Sequence, residues 1–190
     1  MVKNRLFVVT IVGAESSGKT ILAKQLAQLI GCNWVPEYAR DYLGNLDRPY
    51  EFDDLEKIAN GQWKSIVDGG SEAKSEDALQ STDISSKEKI EEIKSSILQL
   101  KPTDHNILIV DSGMLTIRMW ASIKYKRPVP FVEEIMREDP TDLYLLCRPK
   151  MEWESDPLRE APVLVDRVWI FNQYLKEIVE RKFQYKIVQV

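Results

Sequence analysis

Three apolar runs divide the chain. Leu6–Val12, Ile107–Val110 and Leu143–Cys147 are rich in β-branched and aliphatic residues with no polar alternation. That pattern marks strands buried on both faces, as in a parallel sheet. Between them the period changes. From Ile21 onward, Leu22, Leu26 and Leu29 fall on one helical face, and Gly31 is placed to end that helix in the left-handed region. Asn33-Trp34-Val35 reads as a short strand. Pro36 suits the first position of a helix whose opening turns carry Glu37, Arg40 and Asp41. Arg48-Pro49-Tyr50 is a turn. Asp53 or Asp54 then caps a helix to about Val67, with Leu55, Ile58, Ala59, Gln62 and Ile66 as its stripe.

The pattern weakens after Asp68-Gly69-Gly70-Ser71. Residues 70–84 read as a mobile surface loop, and Ser85-Ser86-Lys87-Glu88 as a capping box. The box opens a helix over 85–100 along the domain edge, with Ile90, Ile93, Ile97 and Leu100 on one side. Leu115, Met119 and Ile123 mark a further helix, and another runs from Phe131 to Met136. A polar loop from Arg148 to Glu160 follows the third strong strand. Asp166 is placed to cap a last helix from Arg167, with Val168, Phe171, Leu175 and Ile178 inward, and Tyr185–Val190 closes as a strand. The alternation predicts an α/β fold: three layers, helices on both faces of a parallel sheet of about five strands, right-handed crossovers.

Size and charge narrow the picture. At 190 residues the chain is expected to be one domain, residues 1–190, with a partly helical insertion at about 68–106. A formal charge of −4 argues against general nucleic-acid binding, which needs a basic face. Cys32 and Cys147 lack metal-ligand spacing and suit reduced thiols in a cytoplasmic protein. The run at Leu6–Val12 is too short for a membrane span and leads straight into a motif that cleavage as a signal peptide would destroy.

That motif is Gly13-Ala14-Glu15-Ser16-Ser17-Gly18-Lys19-Thr20, followed by Ile21. It fits G-x-x-x-x-G-K-[ST], a loop whose backbone N–H groups cradle phosphate oxygens between a strand and a helix N-terminus. Lys19 reaches the outer phosphates and the Thr20 hydroxyl is a ligand for Mg²⁺. Asp111, at the carboxyl end of its strand, is the matching acid for the metal. The guanine-reading Asn/Thr-Lys-x-Asp stretch of GTPases follows no predicted strand. The order of Glu37, Asp111 and the arginines from Arg148 to Arg167 instead fits a small kinase: an acid after strand two, an acid after strand three and an arginine-bearing lid.

Read together, Gly13–Thr20 as G-A-E-S-S-G-K-T, Glu37–Tyr42 as E-Y-A-R-D-Y, Ile109-Val110-Asp111, and Trp153 with Asp156-Pro157-Leu158-Arg159 resemble the ribosylnicotinamide (nicotinamide riboside) kinase family, in order from residue 5 to about 180. In larger family members this module follows an adenylyltransferase domain; the chain resembles the kinase module alone. The resemblance implies ATP, Mg²⁺ and phosphoryl transfer to a nucleoside 5′-hydroxyl. The sequence departs from the family in having Pro36 where an aromatic often precedes the acid, Asp111-Ser112-Gly113 in place of D-T-D, and roughly 25 additional residues within 68–106.

The candidate roles follow. Lys19 neutralises the β- and γ-phosphates. Glu37 either orients or deprotonates the acceptor hydroxyl, or simply pairs with Arg40. Tyr38, Arg40 and Asp41 are acceptor-side candidates, Arg40 by a bidentate fork and Asp41 by ribose hydroxyls, with structural roles as the alternative. Arg159 and Arg167 are the lid cations, Arg167 alternatively pairing with Asp166 or Glu160. Trp153 either stacks on a base or anchors the lid. The leading expectation is a kinase for a nucleoside-like small molecule; the alternatives are another (deoxy)nucleoside kinase, or an ATP-binding switch or interaction module.

Overall fold

The computed structural model of the protein describes residues 5–72, 84–101, 106–149 and 163–189. The three apolar runs are strands β1 (Leu6–Gly13), β4 (Asn106–Asp111) and β5 (Thr141–Cys147), lying side by side with β1 between the other two. β2 (Asn33–Val35) joins outside β4 and β6 (Tyr185–Val188) outside β5. These five strands are parallel. A two-residue strand, β3 (Ser71–Glu72), pairs antiparallel with β2, giving the order β3-β2-β4-β1-β5-β6.

Alternation along β1 sorts the core into two layers. Phe7, Val9 and Ile11 face α1 (Lys19–Ile30) and α4 (Ile84–Leu100); Val8 and Val12 face α3 (Phe52–Val67), α5 (Met114–Trp120) and α7 (Leu164–Glu180). Each fully buried aliphatic side chain in these layers contributes roughly 1.5–3 kcal/mol relative to exposure. The result is a three-layer P-loop kinase-like fold. In α1, Leu22, Ala23, Leu26 and Ala27 are buried while Leu29 is exposed. The inward face of α1 is thus set by an i, i+4 pair flanked by alanines, and Leu29 falls a turn past it. Gly31 ends the helix at φ 72°, its N–H donating to the Ala27 and Gln28 carbonyls. In α4, Ile90, Ile93 and Ile97 are buried against the β1 face shared with α1, while Leu100 is exposed. The helix starts at Ile84, ahead of the capping box expected at Ser85.

Other boundaries also shifted. α2 is Tyr38–Gly44, so Pro36 precedes the helix and Glu37 is its extended N-cap. α3 is capped by Glu51, whose N–H donates to Asp54 Oδ2 at 2.8 Å, so Asp54 acts three residues inside the helix. α5 runs into a π-helical turn, Ala121–Tyr125, then α6 (Pro130–Ile135). α7 is capped by Val163, and Asp166 lies in its first turn. Its buried face holds Arg167, Ile170, Phe171, Tyr174 and Ile178, so Val168, expected inward, is exposed. Helices α5, α6 and α7 are tied by Arg118, which reaches Glu133 at 2.8 Å and Glu177 at 2.5 Å. Among the described residues, no helix is long and apolar enough to cross a membrane.

Candidate active site

β1 is the first strand and sits between β4 and β5, so the chain leaves it toward one side of the sheet and later returns to the other. The carboxyl end of such a strand is where open α/β sheets hold ligands. The phosphate loop leaves β1 there. Gly13 has φ 150°, and a Cβ on it would lie 2.8 Å from the Cys147 carbonyl oxygen, so no larger residue fits between the loop and β5. Ser16 and Gly18 also take positive φ, 52° and 82°. Gly18 is the cap of α1, and the helix opens on Lys19 with no acidic residue in its first turn. The loop is thus wrapped around a helix N-terminus whose dipole favours an anion. Its shape is held from within: Ser17 Oγ and Lys19 Nζ both donate to the Ala14 carbonyl, at 2.8 and 2.9 Å.

Register brings Asp111 to the loop. Ile11 pairs with Asp111, so β4 ends level with the start of the loop, and Thr20 Oγ1 donates to Asp111 Oδ2 at 2.6 Å. Asp111 is fully buried. Burial first, then the charge of Glu37, pushes its carboxyl up to about 6, against the opposing pull of Lys19, the Thr20 hydrogen bond and Arg40. Its second oxygen, Oδ1, is buried with no hydrogen-bond partner among the described residues. An orphaned anionic oxygen beside a threonine hydroxyl and a phosphate cradle is a donor set suited to Mg²⁺, which takes one or two protein oxygens and completes its shell with phosphate and water.

A cleft is lined by Gly13, Glu15, Ser16 and Lys19 of the loop together with Glu37, Arg40, Gln62, Ser112 and Thr116, and by the apolar side chains of Leu43, Tyr50, Leu55, Ile58 and Trp120. Arg40 Nε donates to Glu37 Oε2 at 3.2 Å, so the pairing considered for Glu37 exists alongside its place in the cleft. Gly113 stands where a second acid was sought. A Cβ there would come 2.9 Å from Thr10 Cγ2, so the turn after β4 is packed directly on β1.

The structure brings together Gly13, Glu15, Ser16, Lys19, Glu37 and Arg40, all lining the cleft, while Thr20 and Asp111, hydrogen-bonded to each other, adjoin Lys19 outside that lining. Ala14 and Ser17 are buried supports of the loop, and Ile21 is exposed on α1. Three expected acceptor-side residues lie elsewhere. The Tyr38 ring packs against Gly61 and stacks with Tyr42 at 6.4 Å, because the helix begins at this residue and turns the ring toward α3. Asp41 is on the exposed side of α2, where its carbonyl accepts from Asn45. Arg167 is buried on α7 and is not part of the cleft lining. Trp153 and Arg159 lie outside the described residues. Sequence reasoning missed Tyr50 and Trp120; one sat in a turn and the other at a helix end, and only the meeting of α3 with α5 turns them to the same space.

The family model described as an AAA domain, AAA_28, matches residues 8–190. The trifunctional NAD biosynthesis/regulator protein NadR of Escherichia coli (strain K12) is 25% identical over 185 residues, covering 95% of this chain and 38% of that protein. NadR of Salmonella typhimurium (strain LT2) is 25% identical over 181 residues, with 93% and 37% covered. The chain therefore spans less than two fifths of the length of these relatives. Among solved structures, NadR in complex with NR matches with a TM-score of 0.65 at 21% identity, over 96% of this chain and 45% of that one. Thymidylate kinase from Ehrlichia chaffeensis matches with a TM-score of 0.52 at 13% identity, over 96% and 86%. At these identities the structural matches speak to the fold, whereas the family model spans nearly the whole chain: the chain belongs to the AAA_28 family of AAA domains.

Proposed function

We propose that the protein transfers the γ-phosphoryl group of ATP to a hydroxyl of a nucleoside-like small molecule, with the 5′-hydroxyl of nicotinamide riboside as the first-choice acceptor. The observation that carries this reading is that Lys19, Glu37 and Arg40 line one cleft together with apolar side chains and two aromatic rings, Tyr50 and Trp120. A triphosphate on the loop would end in this cleft, and an acceptor with a polar sugar and a flat ring suits the rest. The 25% identity to NadR over 95% of the chain supports the choice of acceptor.

In this reading the loop amides and the N-terminus of α1 bind the phosphates, and Lys19 turns from the Ala14 carbonyl to the β- and γ-oxygens. Thr20 and Asp111 would hold Mg²⁺, which supplies charge neutralisation on the nucleotide. Glu37 accepts the proton of the acceptor hydroxyl as its oxygen bonds to the γ-phosphorus and the bond to the ADP oxygen breaks. Arg40 beside it both fixes the carboxylate and adds positive charge near the moving group. With both thiols raised by burial, Cys32 to about 11 and Cys147 to about 12, neither competes as a nucleophile.

A screen of nucleosides with γ-labelled ATP tests the proposal. Label should pass to nicotinamide riboside, and competition among nucleosides should rank it above deoxynucleosides. Tight ATP binding with no labelled acceptor would sink the kinase reading. The absence of an acid at Gly113 favours one second reading, a nucleotide-dependent switch, which would show slow hydrolysis indifferent to every acceptor.

A further inference from the structure

We infer that Gln62 is a positioning residue that sets Glu37 for the acceptor hydroxyl; this rests on the kinase reading above. Gln62 sits in the apolar stripe of α3 among Leu55, Ile58, Ala59 and Ile66, and is 1% exposed. A hydrocarbon would fill that stripe equally well. A buried amide there is costly unless both of its ends are bonded. Both are, and to the same short stretch of backbone. Gln62 Oε1 accepts the N–H of Tyr38 at 2.8 Å, and Gln62 Nε2 donates to the carbonyl of Pro36 at 3.3 Å. These two groups flank Glu37. One side chain thus closes on the backbone both before and after the proposed base.

The neighbouring residue completes the grip. A Cβ on Gly61 would lie 2.2 Å from Tyr38 Cε1, so the tyrosine ring rests directly on the helix backbone there. Tyr38 is held by its N–H on Gln62 and by its ring on Gly61. Glu37, one residue earlier, is left with an extended backbone at φ −68° and ψ 104°, and its side chain lines the cleft. None of these contacts belongs to the internal ladder of α3, and although Gln62 lines the cleft beside Glu37, both ends of its amide are taken up by the backbone around that residue. Their common effect is to fix the direction of one carboxylate, and a misplacement of about 1 Å in such a group costs on the order of a hundredfold in rate.

The test uses the full chain with Gln62→Met, which keeps volume but removes both hydrogen bonds, and Gly61→Ala, which displaces the Tyr38 ring from the other side. Each is made alone and with Glu37→Gln, and kcat, acceptor KM and affinity for an ATP analogue are measured. Each single variant should lose roughly 10- to 100-fold in kcat with nucleotide affinity kept. In the Glu37→Gln background neither should lose more, because a residue acting only through Glu37 has nothing left to position. Unchanged kcat in Gln62→Met, or losses that multiply in the double variants, would overturn the inference. If the wild type phosphorylates an acceptor but Glu37→Gln is silent, the inference falls while the kinase reading stands. If the wild type phosphorylates no acceptor, both fall.

Discussion

Asp111 holds a carboxylate out of water with one oxygen satisfied by Thr20 and the other by none of the described residues. That arrangement costs stability and is explained by what the site binds. The sign of its pH dependence follows. Its folded value, about 6, lies above its ordinary value of 3.8. Between those two the folded protein holds a proton that the unfolded chain has released, so stability falls as pH rises through that window and stays low above it. Asp111→Asn removes this penalty. In thermal melts without nucleotide or metal, the variant should gain on the wild type as pH goes from about 4 to about 7.5, while phosphoryl transfer is lost. Equal melting differences at both pH values would contradict the account. Gly113 offers a second residue-scale test. Gly113→Ala should destabilise by about 1–3 kcal/mol through contact with Thr10 Cγ2, and Thr10→Ser, which deletes that methyl, should restore most of the loss in denaturant unfolding. At this scale the phosphate loop was legible in the sequence, because eight consecutive residues carry its geometry. Tyr38 and Arg167 were not, because which way each points depends on where α2 and α7 begin.

The elements that frame the acceptor end are joined by a second buried carboxylate with the opposite character. Asp54 is 1% exposed and accepts from Arg48 at 2.7 and 2.9 Å, from Tyr42 Oη at 2.8 Å and from the Glu51 N–H at 2.8 Å. The Arg48 hydrogen bonds first, then that of Glu51, hold its carboxyl far below the usual carboxylate range. Its contribution is therefore present above the unfolded value of about 3.9 and is lost as pH falls below it. Asp54→Ala should cost about 1–3 kcal/mol at neutral pH and narrow the difference from wild type in acid, as read by chemical denaturation at several pH values. The sequence offered Asp53 or Asp54 as the cap of α3; the cap is Glu51, and Asp54 serves it from three residues inside the helix. Its partners at Tyr42 and Arg48 became visible only once α2 had folded back on α3. The stripe of α3 was readable from period alone, and those of α1 and α4 were too except at Leu29 and Leu100, which are exposed. In α7, Phe171 and Ile178 are inward as expected, but Val168 is exposed, and the buried Arg167 beside it hid an inward position behind a charge.

For the whole molecule, the alternation of apolar runs and helical periods was enough to give the αβα layering and the parallel sheet. It could not give the strand order, nor show that α4 shares the β1 face with α1, since both depend on long-range pairing. That order is what places the phosphate loop, Asp111 and Glu37 around one opening. If they form one site, binding of Mg²⁺-ATP should stabilise the fold by about 2.7 kcal/mol at a hundredfold excess over Kd, seen as a rise in melting temperature that Lys19→Ala removes. The most direct test of the whole account is to incubate wild type and Glu37→Gln with Mg²⁺-ATP and nicotinamide riboside, and to follow the phosphorylated nucleoside by mass spectrometry beside nucleotide binding. The account predicts product from the wild type, at least a roughly hundredfold slower rate from the variant, and equal nucleotide affinity in both. Nucleotide bound equally by both proteins, with no phosphorylated nucleoside from either, would contradict it.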